Sequence, residues 1–172
     1  TVLINTFMNG KSSNAFGLEN TIKLTLFKNL NLTLNANTYY IELNSGSISK
    51  SGYAWESKAI VSYKFPWDIV FQANGNYESP KPILQGNIKE MYFFDLSLSK
   101  SIKQRLTFNF TISDVMNTKR RGWNYVTDDY LQDMSRRRES RFFRFTVTYT
   151  FGKTDASVFK RKNQTPVTVH AD

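Results

Sequence analysis

Guanidinium and ammonium groups are the most concentrated chemistry in this chain. Lys119, Arg120 and Arg121 form one run, Arg136, Arg137 and Arg138 a second, and Arg141 and Arg144 follow. Trp123, Tyr125, Phe142 and Phe143 are interleaved with them. An arginine fork matches the paired oxygens of a carboxylate or phosphate, so the cluster can hold an anionic ligand or lipid phosphates. Basic and aromatic side chains together can also take single-stranded nucleic acid. A third use is local, because Asp128, Asp129, Asp133 and Glu139 lie in the same stretch and can pair with the basic runs.

Other reactive groups are sparse. The one histidine, His170, lies in a polar tail, and cysteine is absent, so Ser-His and thiol catalysis lack their parts. Ser47-Ile48-Ser49-Lys50 and Ser97-Leu98-Ser99-Lys100 match Ser-x-x-Lys, a motif that needs a helix to bring lysine to serine. Both fall on strand or loop, which favours chance. Glu56, Asp68 and Asp95 read as charges lining a wet surface, and Asp128-Asp129 lacks the ligand spacing of a calcium loop. The sequence therefore predicts no enzyme, no catalytic residue, no metal and no cofactor.

The elements that must position these groups are strands. From Phe143 to Phe151 the odd positions are Phe143, Phe145, Val147, Tyr149 and Phe151, and Arg144, Thr146, Thr148 and Thr150 lie between them. A two-residue period marks a strand with one apolar and one polar face. The pattern recurs and predicts eight strands, near 1–8, 16–28, 30–43, 53–65, 67–78, 91–100, 105–116 and 139–151. Ile60 and Val70 break parity on the polar side, and Ser57 and Asp114 on the apolar side. Asp114 lies near a strand end, where a bulge or the water interface could absorb it. Turns near 28–31, 65–68 and 100–104 are tight, whereas the connections near 9–15, 44–52, 78–90 and 117–138 are longer. An up-and-down meander then carries all its tight turns at one end.

Two readings of the faces compete. A soluble eight-stranded ligand-binding barrel points its apolar face inward, and a membrane barrel inverts the faces. No run approaches the ~18 apolar residues of a transmembrane helix, which leaves a membrane barrel open. Aromatics gather at strand ends, with Tyr63, Phe65, Trp67, Tyr149 and Phe151 on the tight-turn side and Tyr53, Trp55, Tyr77 and Tyr92 on the other. Amphipathic rings at both ends suit a headgroup girdle. Strand length and loop asymmetry point the same way, so the pattern favours the membrane. On a barrel's outer rim, the basic cluster Lys119, Arg120, Arg121, Arg136, Arg137, Arg138 and Arg141 would serve contacts within its own loop and with lipopolysaccharide phosphates first, an anionic ligand second and nucleic acid last; no nucleic-acid partner is expected. An unpaired strand edge in lipid costs several kcal/mol per backbone group, so the sheet must close or pair with further strands. The chain opens mid-strand at Thr1-Val2-Leu3-Ile4, which suggests a fragment of something longer.

Several blocks resemble the end of TonB-dependent outer-membrane receptors, most nearly the Bacteroidetes-type β-barrel receptors. They are Phe94-Asp95-Leu96-Ser97-Leu98-Ser99-Lys100, the run from Leu106 to Thr118, Glu139-Ser140-Arg141, Phe16-Gly17-Leu18-Glu19, and Thr148-Tyr149-Thr150-Phe151-Gly152-Lys153. The resemblance covers residues 1 to about 153 and rests on the order and spacing of the blocks. It implies an all-β, antiparallel up-and-down meander of about eight strands within a larger transmembrane barrel of about 22. Residues 1–152 would be the C-terminal segment of that barrel, and 153–172 a polar tail. The implied function is import of a nutrient (a siderophore, glycan or peptide) across the outer membrane. The implied partners are outer-membrane lipid, TonB acting through a plug not in this chain, and a surface lipoprotein. Such barrels usually finish on an aromatic read by the assembly machinery, whereas here a tail follows Gly152. Phe151 as an internal signal and the tail as a family extension both stay open. A structural or adhesive outer-membrane barrel without transport is the remaining alternative.

Overall fold

The computed structural model describes residues 11–127 and 130–151; the predicted strand 1–8 and the tail 153–172 lie outside them. Seven strands form the main sheet: β1 (Ser12–Leu26), β2 (Leu30–Asn44), β3 (Ser49–Phe65), β4 (Ile69–Glu78), β7 (Met91–Ile102), β8 (Leu106–Ser113) and β11 (Phe142–Tyr149). They pair antiparallel in chain order, β1-β2-β3-β4-β7-β8-β11. This is the predicted meander, read from Ser12 onward.

Register makes the alternating stripe into a continuous surface. Leu24, Leu32, Val61, Ala73, Leu96, Ile112 and Phe143 lie in one cross-strand row, and Leu26, Leu30, Tyr63, Phe71, Leu98, Phe110 and Phe145 in another. The opposite face carries rows such as Thr25, Asn31, Ser62, Gln72, Ser97, Thr111 and Arg144. On that face Thr21 donates to Asn35 at 2.9 Å and Thr25 to Asn31 at 3.1 Å. A one-residue slip would exchange the faces, so seven strands in one parity fix the register strongly.

The tight turns descend across the sheet. The pair Leu26–Leu30 closing the β1–β2 turn is level with Tyr63–Phe71, and the β3–β4 ladder runs two residues further, to Phe65–Ile69. Phe65–Ile69 is level with Lys100–Phe108, and the β7–β8 ladder again runs two residues further, to Ile102–Leu106. A steady stagger of this kind is the shear that tilted barrel strands require.

Only Ala54 and Met91 are buried hydrophobic residues among those described. Phe110, Phe145 and Val147 remain 42%, 65% and 52% exposed. A water-soluble barrel of this size would bury its apolar stripe as a core. This sheet presents it outward, and no element covers it among the described residues. Backbone pairing of β1 with β11 is likewise absent there, so the described sheet is open.

The connection expected as a longer loop at 44–52 is a four-residue turn, 45–48, because Asn44 already pairs with Ser49, and three further sequence expectations change. The connections expected as loops at 78–90 and 117–138 contain four strands: β5 (Lys81–Ile83), β6 (Gly86–Ile88), β9 (Arg121–Val126) and β10 (Leu131–Arg136). They form a second sheet in the order β10-β9-β6-β5. Its central pairing joins segments distant in sequence, with Ile88 opposite Trp123 and Gly86 opposite Tyr125. Gly86 has φ +150°, and an added Cβ would lie 1.7 Å from the Asn124 carbonyl oxygen, so only glycine fits this crossing. Second, Trp67 lies in the turn rather than in a strand. Pro66 cannot donate to the ladder, Trp67 takes φ 62°, and pairing resumes at Ile69. Third, Asp114 sits neither in a bulge nor at the water interface. It is 1% exposed and turns the chain at φ 46°.

Candidate functional site

The second sheet sits over the polar face of the main sheet at its long-loop end. Gly52, Ala54 and Glu56 alternate onto that face, and a Cβ on Gly52 would lie 3.4 Å from the Pro82 ring. Lys81 pairs with Glu56 and lies 3.7 Å from Glu78. Tyr39 donates its hydroxyl to Glu56 at 2.8 Å, and Lys81 lies 5.7 Å from the Tyr39 ring centre. Burial alone would lower the Lys81 pKa, but the hydrogen bond to Glu56, with Tyr39 alongside, outweighs it and raises the value. A second anchor comes from Lys50, which donates to the Gly86 carbonyl at 2.5 Å. Across the small sheet, Lys89 pairs with Asp133 at 2.6 Å.

This cover leaves a cavity of ≈ 700 Å³. Its floor is the polar face of the main sheet: Met91 and Asp95 of β7, Ser113 of β8 and Phe142 of β11. Its other walls are Arg121 and Trp123 of β9, Arg136 of β10 and the segment Arg138-Glu139-Ser140. Lys119 also lines it, with its ammonium 4.0 Å from the Phe93 ring centre. A smaller cavity of ≈ 340 Å³ adjoins and shares Arg138, Glu139 and Ser140, adding Arg137 and Arg141.

Asp114 holds the corner. Its carboxylate accepts from the Thr118 and Lys119 backbone N–H groups at 2.9 and 3.1 Å and from the Ser140 hydroxyl at 2.5 Å. Its own N–H donates to Asp95 at 2.8 Å. The two ends of the 114–140 excursion are thereby tied together. Burial works to raise the Asp114 pKa, but the hydrogen bonds from Ser140, Thr118 and Lys119 outweigh it and hold the carboxyl below its ordinary value.

Of the basic residues expected from sequence, Lys119, Arg121, Arg136 and Arg138 converge on the larger cavity, and Arg137, Arg138 and Arg141 on the smaller. Arg120 lines neither of these two cavities. Arg137 donates to the Asn117 carbonyl at 3.1 Å. Of the acids expected as local partners, Asp133 is engaged with Lys89, and Asp128 and Asp129 lie outside the described residues. Sequence reasoning placed Phe142 beside this cluster but missed Met91, Asp114 and Ser140 as its neighbours. The available signal was the alternation Trp123, Tyr125 within 117–138 and the parity break at Asp114.

The aromatic residues expected as a girdle fall at the two ends of the sheet. At the long-loop end Tyr53 packs on Tyr40 with ring centres 5.0 Å apart, and Trp55 stacks on Tyr77 at 4.5 Å. At the tight-turn end Tyr63 meets Phe65 edge-on at 4.6 Å and Tyr149 lies over Phe151 at 6.4 Å. Trp67 and the unforeseen Phe27 project from tight turns, 80% and 87% exposed. The Ser-x-x-Lys run at 97–100 lies in β7, where alternation sends Ser97 and Lys100 to opposite faces.

Residues 1–149 match the outer membrane protein beta-barrel family. No curated protein and no solved structure gave a match. The outward apolar stripe, the ringed ends and the family match agree: the chain belongs to the outer membrane protein beta-barrel family and resides in the outer membrane.

Proposed function

We propose that this chain is the C-terminal wall of a transport barrel of the TonB-dependent receptor type. Its apolar stripe meets lipid and its polar stripe lines the lumen. The 44–49 connection and the second sheet shape the mouth through which a scarce nutrient enters. TonB then acts through a plug on another part of the protein. The observation that carries this reading is the position of the ≈ 700 Å³ cavity. It opens on the polar face at the long-loop end, where a substrate arriving from outside would first be held. The resemblance of the Leu106–Thr118 and Glu139–Arg141 blocks to receptor ends supports it. This reading assigns the chain no catalytic step.

The test is capture on immobilised TonB C-terminal domain. The full-length protein, solubilised from outer membranes, is expected to be retained, and loss of its N-terminal plug region should abolish retention. A full-length protein that TonB does not retain would mean a structural or adhesive barrel instead.

A further inference from the structure

We propose that the mouth cavity binds an amphipathic anion, meaning a phosphate, sulfate or carboxylate group joined to an apolar or aromatic body. This names a ligand class for the transport reading and rests on it for the ligand's onward passage.

Charge supplies the first argument. Six cationic side chains line the two adjoining cavities, against the carboxylates of Asp95, Asp114 and Glu139. Two of these acids are engaged in the protein's own bonds. Asp114 faces three donors from its own loop, and Asp95 accepts the Asp114 N–H. Arg121, Arg136 and Arg138 form no ion pair with any described residue, so their forks are available to a bidentate oxyanion.

Shape supplies the second. Trp123, Phe142 and Met91 line the same space as the arginines. An inorganic anion would leave that apolar wall wet, whereas a ligand with an apolar body covers it while its charge meets the guanidinium groups.

Position supplies the third and separates two sources of the same chemistry. Lipid A presents phosphates beside acyl chains, but it lies outside the barrel, against the apolar stripe. Met91, Asp95, Ser113 and Phe142 all alternate onto the opposite, polar face. The cavity is therefore addressed from the lumen side, which favours a soluble ligand.

The probe is 2-naphthyl phosphate, measured by equilibrium dialysis against the full-length protein in detergent, with 2-naphthol and purified lipid A as comparison arms. Naphthyl phosphate should bind, with affinity falling as salt rises. Arg121→Gln with Arg136→Gln should weaken it at least about tenfold. Lys28→Gln with Lys103→Gln, at the tight-turn end, should leave it unchanged. If the glutamine pair fails to fold, Arg121→Lys with Arg136→Lys keeps the charge without the fork and should still weaken binding. Naphthol binding as tightly as the phosphate, equal affinity in all variants, or arginine-dependent binding of lipid A alone would each overturn the proposal. TonB capture is scored on the same preparations. Capture without anion binding removes the ligand class only, and anion binding without capture removes the transport reading only.

Discussion

Leu98→Arg should prevent stable insertion, while Ser97→Arg on the same strand should be tolerated. Leu98 is 47% exposed on the apolar stripe, between Phe71 and Phe110 in its row. Ser97 sits on the polar face between Gln72 and Thr111. A guanidinium on the lipid face of a barrel near the midplane costs about 2–4 kcal/mol, whereas one in a wet lumen costs little. Unfolding midpoints in vesicles, together with the heat-dependent gel shift of folded barrels, report both. The expected result is a large loss for Leu98→Arg alone. Equal losses would mean that both faces are dry, and the reverse order would mean that the faces are inverted.

The second large effect is at Asp114. Replacing it with alanine strands the Thr118 and Lys119 N–H groups and the Ser140 hydroxyl in a site that is 1% exposed. The cost is on the order of 3 kcal/mol, concentrated in the 114–140 excursion rather than the main sheet. Trypsin cleavage at Arg136–Arg138 in the folded barrel should rise about a hundredfold if it follows local opening. Asparagine should rescue only part, because its amide N–H₂ faces donors where the carboxylate supplied acceptors. A pH dependence follows. The folded pKa lies below the ordinary 3.8, so the unfolded segment binds the proton more readily. The stabilisation is complete well above pH 3.8 and is lost as pH falls through the depressed folded value. Wild-type protease resistance of the loop should therefore drop in strong acid, and Asp114→Ala should flatten that response.

Much of the main sheet was legible because its information is local. A strand announces its faces in every second residue, and a tight turn fixes the register of the next strand, as at Leu26–Leu30. Seven strands in one parity leave little else to decide. Pro66 marked a strand end, but the sequence could not show that Trp67 would take φ 62° and leave the ladder. The second sheet was hidden for a different reason. β5 and β6 have three residues each, too short for a period to register, and their partner strand β9 begins at Arg121. Nothing local specifies the pairing of Ile88 with Trp123. The basic cluster was visible as composition, but its convergence depends on that non-local sheet and on the bond from Ser140 to Asp114. Asp114 itself was visible only as a break in parity. A carboxylate on an apolar stripe near a strand end asks for partners, and the ones it found lie up to 26 residues away.

The most direct test of the account exploits a chain without cysteine. Single cysteines placed in turn at positions 143–148 of β11, in the full-length protein with any cysteine outside residues 1–172 replaced by serine, carry an environment-sensitive fluorophore in vesicles containing doxyl-labelled lipid. Labels at Phe143, Phe145 and Val147 should be quenched by the lipid and shielded from aqueous iodide. Labels at Arg144, Thr146 and Thr148 should show the opposite. Quenching that does not alternate, or that alternates in the other phase, would contradict an apolar stripe facing hydrocarbon.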